Sequence, residues 1–433
     1  MKYSSTSGRS RNFSFKDAVL LGLAPDSGLF MPNELPHLPK KFFKELGQKS
    51  FSEIAEDVAK KYIEEISVPE LQKIIKGAFS FPVPLKQLDE SLYVLELFHG
   101  PTMAFKDFGA RFLARAMGYF ARGQETKLNI IVATSGDTGS AVASGFFKVP
   151  RAHVYILYPS KKVSAFQEKQ LTTYGHNITA LEVKGTFDDC QRLAKQVLGD
   201  GELNGTMKFS SANSINFGRL LPQSFYYFYA AGQLQRKKIF TPPVFVVPSG
   251  NFGHLTSGLL AKRMGLNVFK FLAATNANNT VPKYLATGKY RPKASKHTIS
   301  NAMDVGNPSN FARMSELYGA DYKKMGKDIS GVSVTDALTR QTIAKIYKRY
   351  NYILDPHTAV GVAAVTKPGF VKRRPTVVLG TAHPAKFKEM VEPVIKRRVG
   401  YPPQLKAAVK KKKHSILVSK DYKELKKVLM NLN

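Results

Sequence analysis

One cysteine, Cys190, is present in 433 residues, which excludes a disulfide framework within the chain. No Cys/His cluster with zinc spacing and no His-Glu-x-x-His occurs, so neither a structural nor a catalytic metal is expected. No apolar run reaches the length of a membrane span; a soluble, cytoplasmic protein is expected. Gly-x-x-x-x-Gly-Lys-Ser/Thr and Gly-x-Gly-x-x-Gly are both missing, which argues against a nucleoside triphosphate loop and against a dinucleotide. Acidic residues are scarce, 32 against 65 Lys and Arg, for a net charge of +33. That balance invites a nucleic-acid reading. Zinc-finger, RNP-type and basic-heptad patterns are absent, however, and the dense runs are only Lys372-Arg373-Arg374, Lys396-Arg397-Arg398 and Lys410-Lys411-Lys412-Lys413. A solvated basic surface that attracts anions is the favoured explanation, and no specific nucleic-acid partner is expected.

The length calls for two or three domains, and 43% hydrophobic residues suffice for globular cores. Residues 1–85 read as a mostly helical region. Ser14 with Asp17 and Ser50 with Glu53 form capping-box patterns, and Gly22 stops the first helix. The basic, acid-free residues 1–16 resemble a transit peptide in composition, but they run straight into the Ser14 cap and are expected to be ordered. Phe81-Pro82-Val83-Pro84 marks a boundary. Beyond it, short apolar runs alternate with helical segments: 92–97, 129–134, 154–158, 244–247, 269–274 and 376–379. This pattern predicts an α/β protein with two mostly parallel sheets, flanking helices and a cleft between them. The expected units are 1–85, a smaller α/β domain over 86–225, and a larger one over 226–433. Helical periodicity returns near Tyr422–Leu429.

Phe98-His99-Gly100-Pro101-Thr102-Met103-Ala104-Phe105-Lys106-Asp107 places a lysine in an apolar setting at a helix start. Burial makes the ammonium form costly and frees the amine to attack a carbonyl, as a Schiff-base lysine must. A lysine snorkelling off a helix is the ordinary alternative. Two strand–turn–helix units weigh against it: 131–140, with Ser135-Gly136-Asp137-Thr138, and 246–254, with Ser249-Gly250-Asn251-Phe252-Gly253. Helix-start amides and glycine make such turns anion cradles. One reactive lysine and two cradles suggest pyridoxal 5′-phosphate, with an aldehyde and one phosphate, and a second anionic group on the substrate.

These segments, with 301–310 and Thr381-Ala382-His383-Pro384-Ala385-Lys386-Phe387, resemble the threonine synthase family, in its bacterial and fungal branch with a long N-terminal region. The resemblance runs from about Tyr3 to Phe387. It implies a fold-type-II pyridoxal phosphate enzyme, a carbon–oxygen lyase acting on phosphate. Such an enzyme converts O-phospho-L-homoserine and water into L-threonine and phosphate by γ-elimination and β-addition of water. Carried over residue by residue, Lys106 matches the cofactor lysine. Gly250, Asn251, Phe252 and Gly253 match the cofactor-phosphate loop, and Thr381 the hydroxyl facing the pyridine nitrogen. The Ser135–Ser140 loop, including Gly136, Asp137 and Thr138, matches the substrate-carboxylate segment. The resemblance leaves monomer and homodimer both open.

Candidates to stabilise the leaving phosphate are Asn213, Ser214 and Arg219 in 213–219, and 161–164 with Lys161, Lys162 and Ser164. Arg219 offers a planar fork for phosphate, with a surface or interdomain salt bridge as the equal alternative. His99 and His383 are expected to shape turns, Asp304 to cap one, Asp107 to favour its helix start, and Cys190 to be buried. His254, Gly380 and Met103 depart from the usual family residues, an Asn or Asp, an acid and a Leu. A threonine or serine dehydratase-like lyase is the alternative enzyme. A non-catalytic anion- or nucleic-acid-binding relative is the alternative outside enzymes.

Overall fold

The computed structural model describes residues 1–122, 127–365, 374–409 and 411–432. Lys372 and Arg373 of one basic run and Lys410 of another lie outside the described residues. Among those described, no helix is long and apolar enough to cross a membrane.

Strands β1 (Tyr3–Ser5) and β2 (Phe30–Pro32) pair antiparallel. A six-stranded sheet has the order β11 (Ile329–Ser333), β10 (Lys270–Thr275), β9 (Val244–Pro248), β12 (Thr376–Gly380), β4 (Leu92–Glu96), β3 (Leu85–Gln87). It is parallel except for β3 with β4. A five-stranded, all-parallel sheet has the order β13 (Ile416–Val418), β7 (Ile178–Val183), β6 (Ala152–Pro159), β5 (Leu128–Ala133), β8 (Phe209–Ser211). The central strands are buried along their length because helices cover both faces, hence their unbroken Val, Ile and Leu runs.

The sheets do not follow three contiguous segments. β3 and β4 precede the smaller sheet in sequence yet form one edge of the larger. β4 runs between β3 and β12, its carbonyls and amides matched to residues 376–380. Conversely, β13 near the C-terminus completes the smaller sheet. Lys413 ties it there by bonding Glu168 at 2.6 Å and Glu182 at 2.7 Å.

The N-terminal region is more than helices. Tyr3 is fully buried in β1 and its hydroxyl donates to the Tyr62 carbonyl at 2.7 Å. Both expected capping boxes are formed, at Phe15–Leu21 and Phe51–Ala59. This region frames the helix Lys106–Phe120. Phe79 stacks on Phe108 at 5.8 Å, and Phe51 and Phe81 meet the same ring at 5.5 and 5.0 Å. Arg111 of that helix donates to the Ala78 and Gly77 carbonyls, both at 2.7 Å. It thereby satisfies the open end of the helix Val68–Ala78.

Phe108 is fully buried at the centre of these contacts. Phe108→Ala is expected to cost about 3–5 kcal/mol in urea unfolding. An unchanged midpoint would show that the aromatic cluster does not hold the N-terminal region.

Candidate active site

Lys106 opens the helix Lys106–Phe120 because the preceding turn is locked. Asp107 accepts from the Thr102 amide at 2.9 Å and the Thr102 hydroxyl at 2.7 Å. A Cβ on Gly100 would lie 2.4 Å from the Asp107 carboxylate, so the turn requires glycine there. Asp107 is thus a turn clasp as well as a first-turn acid, and burial raises its pKa to about 6. Residues 103–105 run antiparallel to 381–383. The Phe105 amide donates to Thr381 O at 2.8 Å and the His383 amide to Met103 O at 3.0 Å, around an Ala104–Ala382 bridge. The lysine turn and the Thr381 segment are one unit.

Lys106 is partly accessible, as a group lining a cleft must be. Burial of its surroundings draws the amine down to about 8. Asp137 opposes that shift, and the Arg219 and Lys386 cations add to it.

The cleft and the open solvent at its mouth together hold about 920 Å³ of space not filled by protein atoms. It lies at the carboxyl ends of β5, β9 and β12, where open parallel sheets place ligands. Ser135, Asp137, Thr138, Asn213, Ser214, Arg219, Gly250, Asn251, Phe252, Gly253 and Thr381 line it together with Lys106.

Gly136 stands behind the wall. Its φ of 137° and the Gln167 side chain, 2.6 Å from where a Cβ would sit, exclude other residues. Thr134 Oγ1 accepts from the Gly136 and Gly139 amides at 2.9 and 2.8 Å, shaping the start of the helix Asp137–Phe146. Gly250 packs against the 301–305 segment, where a Cβ would fall 2.9 Å from Met303 Cα. Phe252 turns left-handed, φ 60°, to start the helix Gly253–Arg263.

Asn213 is pinned to the end of β5, donating to Ala133 O at 2.8 Å and accepting from its amide at 3.1 Å. Ser214 accepts from Asn310 at 3.2 Å. Arg219 is buried, and no carboxylate bonds it among the described residues. It donates to Ala212 O at 2.8 Å, while its Nε has no protein partner. The salt-bridge alternative for Arg219 is therefore not what the fold contains; burial draws its pKa to about 10.

Lys161 and Lys162 are exposed outside the cleft, and Ser164 caps the helix Ala165–Thr172. His99 bonds Glu96 at 2.7 Å rather than its own turn. His383 shapes its turn by accepting from the Ala385 amide at 3.1 Å. Asp304 ties down its loop by accepting from the Thr298 amide at 3.0 Å. Cys190 is buried.

Three residues in or beside the cleft receive no role from the sequence. Lys386 is fully buried and pairs with Asp137 at 2.7 Å. This pair holds the Asp137 carboxyl far below its ordinary range. His357 lines the cleft near Thr381. His254 stacks on Phe105 at 4.4 Å with neither ring nitrogen partnered, and burial keeps it neutral, near 3. A buried cation and carboxylate on separate strands' loops have no local signal. His254 does have one, its departure from the family residue.

The residues fit pyridoxal phosphate. A partly neutral amine, a glycine turn at a helix start and a hydroxyl held beside the lysine turn share one cleft. Lys106 and Arg219 line the cleft with Asp137 and Asp304; Asp137 is taken by Lys386, and the Arg219 Nε is left without a protein partner, free to receive an anionic ligand.

Residues 80–381 match a family described as Pyridoxal-phosphate dependent enzyme. Residues 2–79 match Threonine synthase N terminus, and 358–429 match Threonine synthase, C-terminal. The chain is similar to the threonine synthase of Escherichia coli, at 41% identity over all of both chains. The crystal structure of the Escherichia coli protein superposes with a TM-score of 0.93 at 40% identity, covering 100% of each chain. A PLP-bound threonine synthase from Brucella melitensis superposes at 0.91 with 34% identity, over 100% of this chain and 99% of that one.

In the protein freed of cofactor, competitive labelling of amines with an acylating reagent is expected to show Lys106 titrating near 8. Surface lysines should titrate near their ordinary value of about 10.4. Lys106 labelling with the surface profile would contradict the burial argument.

Proposed function

The chain belongs to the threonine synthase family, and from that premise we propose how its own residues carry the reaction. The reaction turns O-phospho-L-homoserine and water into L-threonine and phosphate, with pyridoxal 5′-phosphate as cofactor. When bound, the cofactor supplies an aldehyde and an electron-accepting ring to the substrate's amino-acid carbons.

Lys106 holds the aldehyde. Its amine, near 8, is neutral often enough to attack and basic enough to take a proton. Whenever it is not holding the aldehyde, Lys106 Nζ would be free to move the α-proton and then the β-proton. Gly250, Asn251, Phe252 and Gly253 receive the cofactor phosphate at the start of their helix. Thr381 presents a neutral hydroxyl to the pyridine nitrogen; unlike a carboxylate it does not force that nitrogen to stay protonated.

Ser135 and the first turn at Asp137 and Thr138 receive the substrate α-carboxylate, with Gly136 shaping the turn. Asp137 takes part through its backbone, because its side chain is committed to Lys386. Asn213 fixes the loop against β5, and Ser214 and Arg219 offer the substrate phosphate a hydroxyl and an unpartnered Nε. Stabilising the departing phosphate with preorganised donors is what γ-elimination demands.

The observation that carries this reading is the convergence of Lys106, the Gly250 turn and Thr381 from separate strand ends on one cleft that Arg219 also lines. Arg219 favours it over a dehydratase-like reading. A dehydratase needs no receptor for a γ-phosphate, and a buried guanidinium with a spare donor is costly without one.

With O-phospho-L-homoserine the holoenzyme is expected to release phosphate and threonine in equal amounts. Lys106→Ala should abolish both turnover and the visible absorption of lysine-bound cofactor. Arg219→Gln should raise KM about tenfold or more, for loss of a charge-assisted hydrogen bond. Ketobutyrate formed from threonine, with no phosphohomoserine turnover, would establish the dehydratase reading instead.

A further inference from the structure

Behind Thr381 runs a chain of buried polar groups. Asp355 is 1% exposed and caps the helix Pro356–Ala364. Every partner of its carboxylate is a donor. The His357 amide donates at 3.0 Å, His357 Nδ1 at 2.9 Å, the Thr358 amide at 3.4 Å, and the Thr358 hydroxyl as well. His357 Nε2 accepts from the Ala302 amide at 3.2 Å. The ring proton therefore sits on Nδ1, and His357 is a neutral donor to Asp355. A carboxylate surrounded by donors alone is the arrangement that suits its charged form.

Thr358 spends its one hydroxyl proton on Asp355, so toward Thr381 its oxygen only accepts. It receives the Thr381 amide at 3.0 Å and stands 3.4 Å from the Thr381 hydroxyl. A carboxylate thus lies one hydroxyl removed from the residue read as the ring partner. Two titratable groups that sense Asp355 carry no charge to offset it. His383 is held neutral, near 4, chiefly by burial, and Tyr352 stays protonated with its hydroxyl on Glu96 at 2.8 Å.

We propose that Asp355 is a positioning residue that, acting through Thr358 and Thr381, raises the proton affinity of the cofactor's pyridine nitrogen. A negative charge nearby favours the protonated form of a base. Aligned donors in a low-dielectric interior carry that influence further than water would. The neutral hydroxyl at Thr381 alone would leave the ring a weak electron sink; the hidden carboxylate restores part of its strength. The inference rests on the reading of Thr381 as the ring partner.

The test is the NMR titration of an isotopically labelled ring nitrogen in the holoenzyme. Asp355→Asn removes the charge but still caps the helix. Thr358→Val breaks the relay with the carboxylate in place. The ring-nitrogen titration is expected to move toward lower pH, by about one unit in Asp355→Asn and by less in Thr358→Val, with Thr358→Ser restoring the wild-type curve. Thr381→Val must also move it. Wild-type curves in Asp355→Asn and Thr358→Val, with a shifted one in Thr381→Val, would overturn the proposal and leave the ring-partner reading standing. An unmoved Thr381→Val would remove that reading and the proposal with it. Should Asp355→Asn not fold, Thr358→Val alone decides: an unshifted titration overturns the proposal.

Discussion

The ion pair between Asp137 and Lys386 holds the two halves of the site to one another. Asp137 comes from the turn after β5 of the smaller sheet, and Lys386 from the segment after β12 of the larger. Lys386 also donates to Thr102 O at 2.9 Å, in the turn that precedes Lys106. Three loops therefore meet on one buried ammonium. Removing one partner of such a pair strands a charge and costs about 3–5 kcal/mol. The same pair sets the electrostatics of Lys106: the carboxylate supports its charge, the ammonium opposes it, and burial outweighs both.

From that junction the backbone does the positioning. Residues 103–105 are zipped to 381–383, so the lysine and the hydroxyl beside it move as one piece. The aromatic cluster around Phe108 fixes the helix that begins at Lys106, which gives the N-terminal region a share in the chemistry without a residue in the cleft. The unpartnered Arg219 donor and the helix starts at Asp137 and Gly253 then suit a ligand set with two phosphates and a carboxylate. The net charge of the chain adds long-range attraction for such anions.

What was legible in the sequence was local. The Val and Ile runs at 129–134, 244–247 and 376–379 announced buried parallel strands, and the glycine turns after the first two announced cradles. Lys106 was legible because its apolar flank and Gly-Pro turn are contiguous. β7 was not, because Glu182 interrupts its apolar run; the charge is tolerated through Lys413 at 2.7 Å and Ser160 at 2.6 Å, from distant segments. The two sheets likewise draw on strands far apart in sequence, β4 beside β12 and β13 beside β7, pairings that no local pattern records. The pairing of Lys386 with Asp137 depends on residues far apart in sequence, and the Asp355 relay on two threonines brought together by folding.

The central claim is that Lys106, among the many lysines of this chain, is the one bonded to the cofactor in this cleft. Borohydride reduction of the holoenzyme, followed by peptide mass spectrometry, tests it most directly. The account predicts a pyridoxyl phosphate adduct on the peptide containing Lys106 and on no other. An adduct on Lys386, or on any lysine outside the cleft, would contradict it.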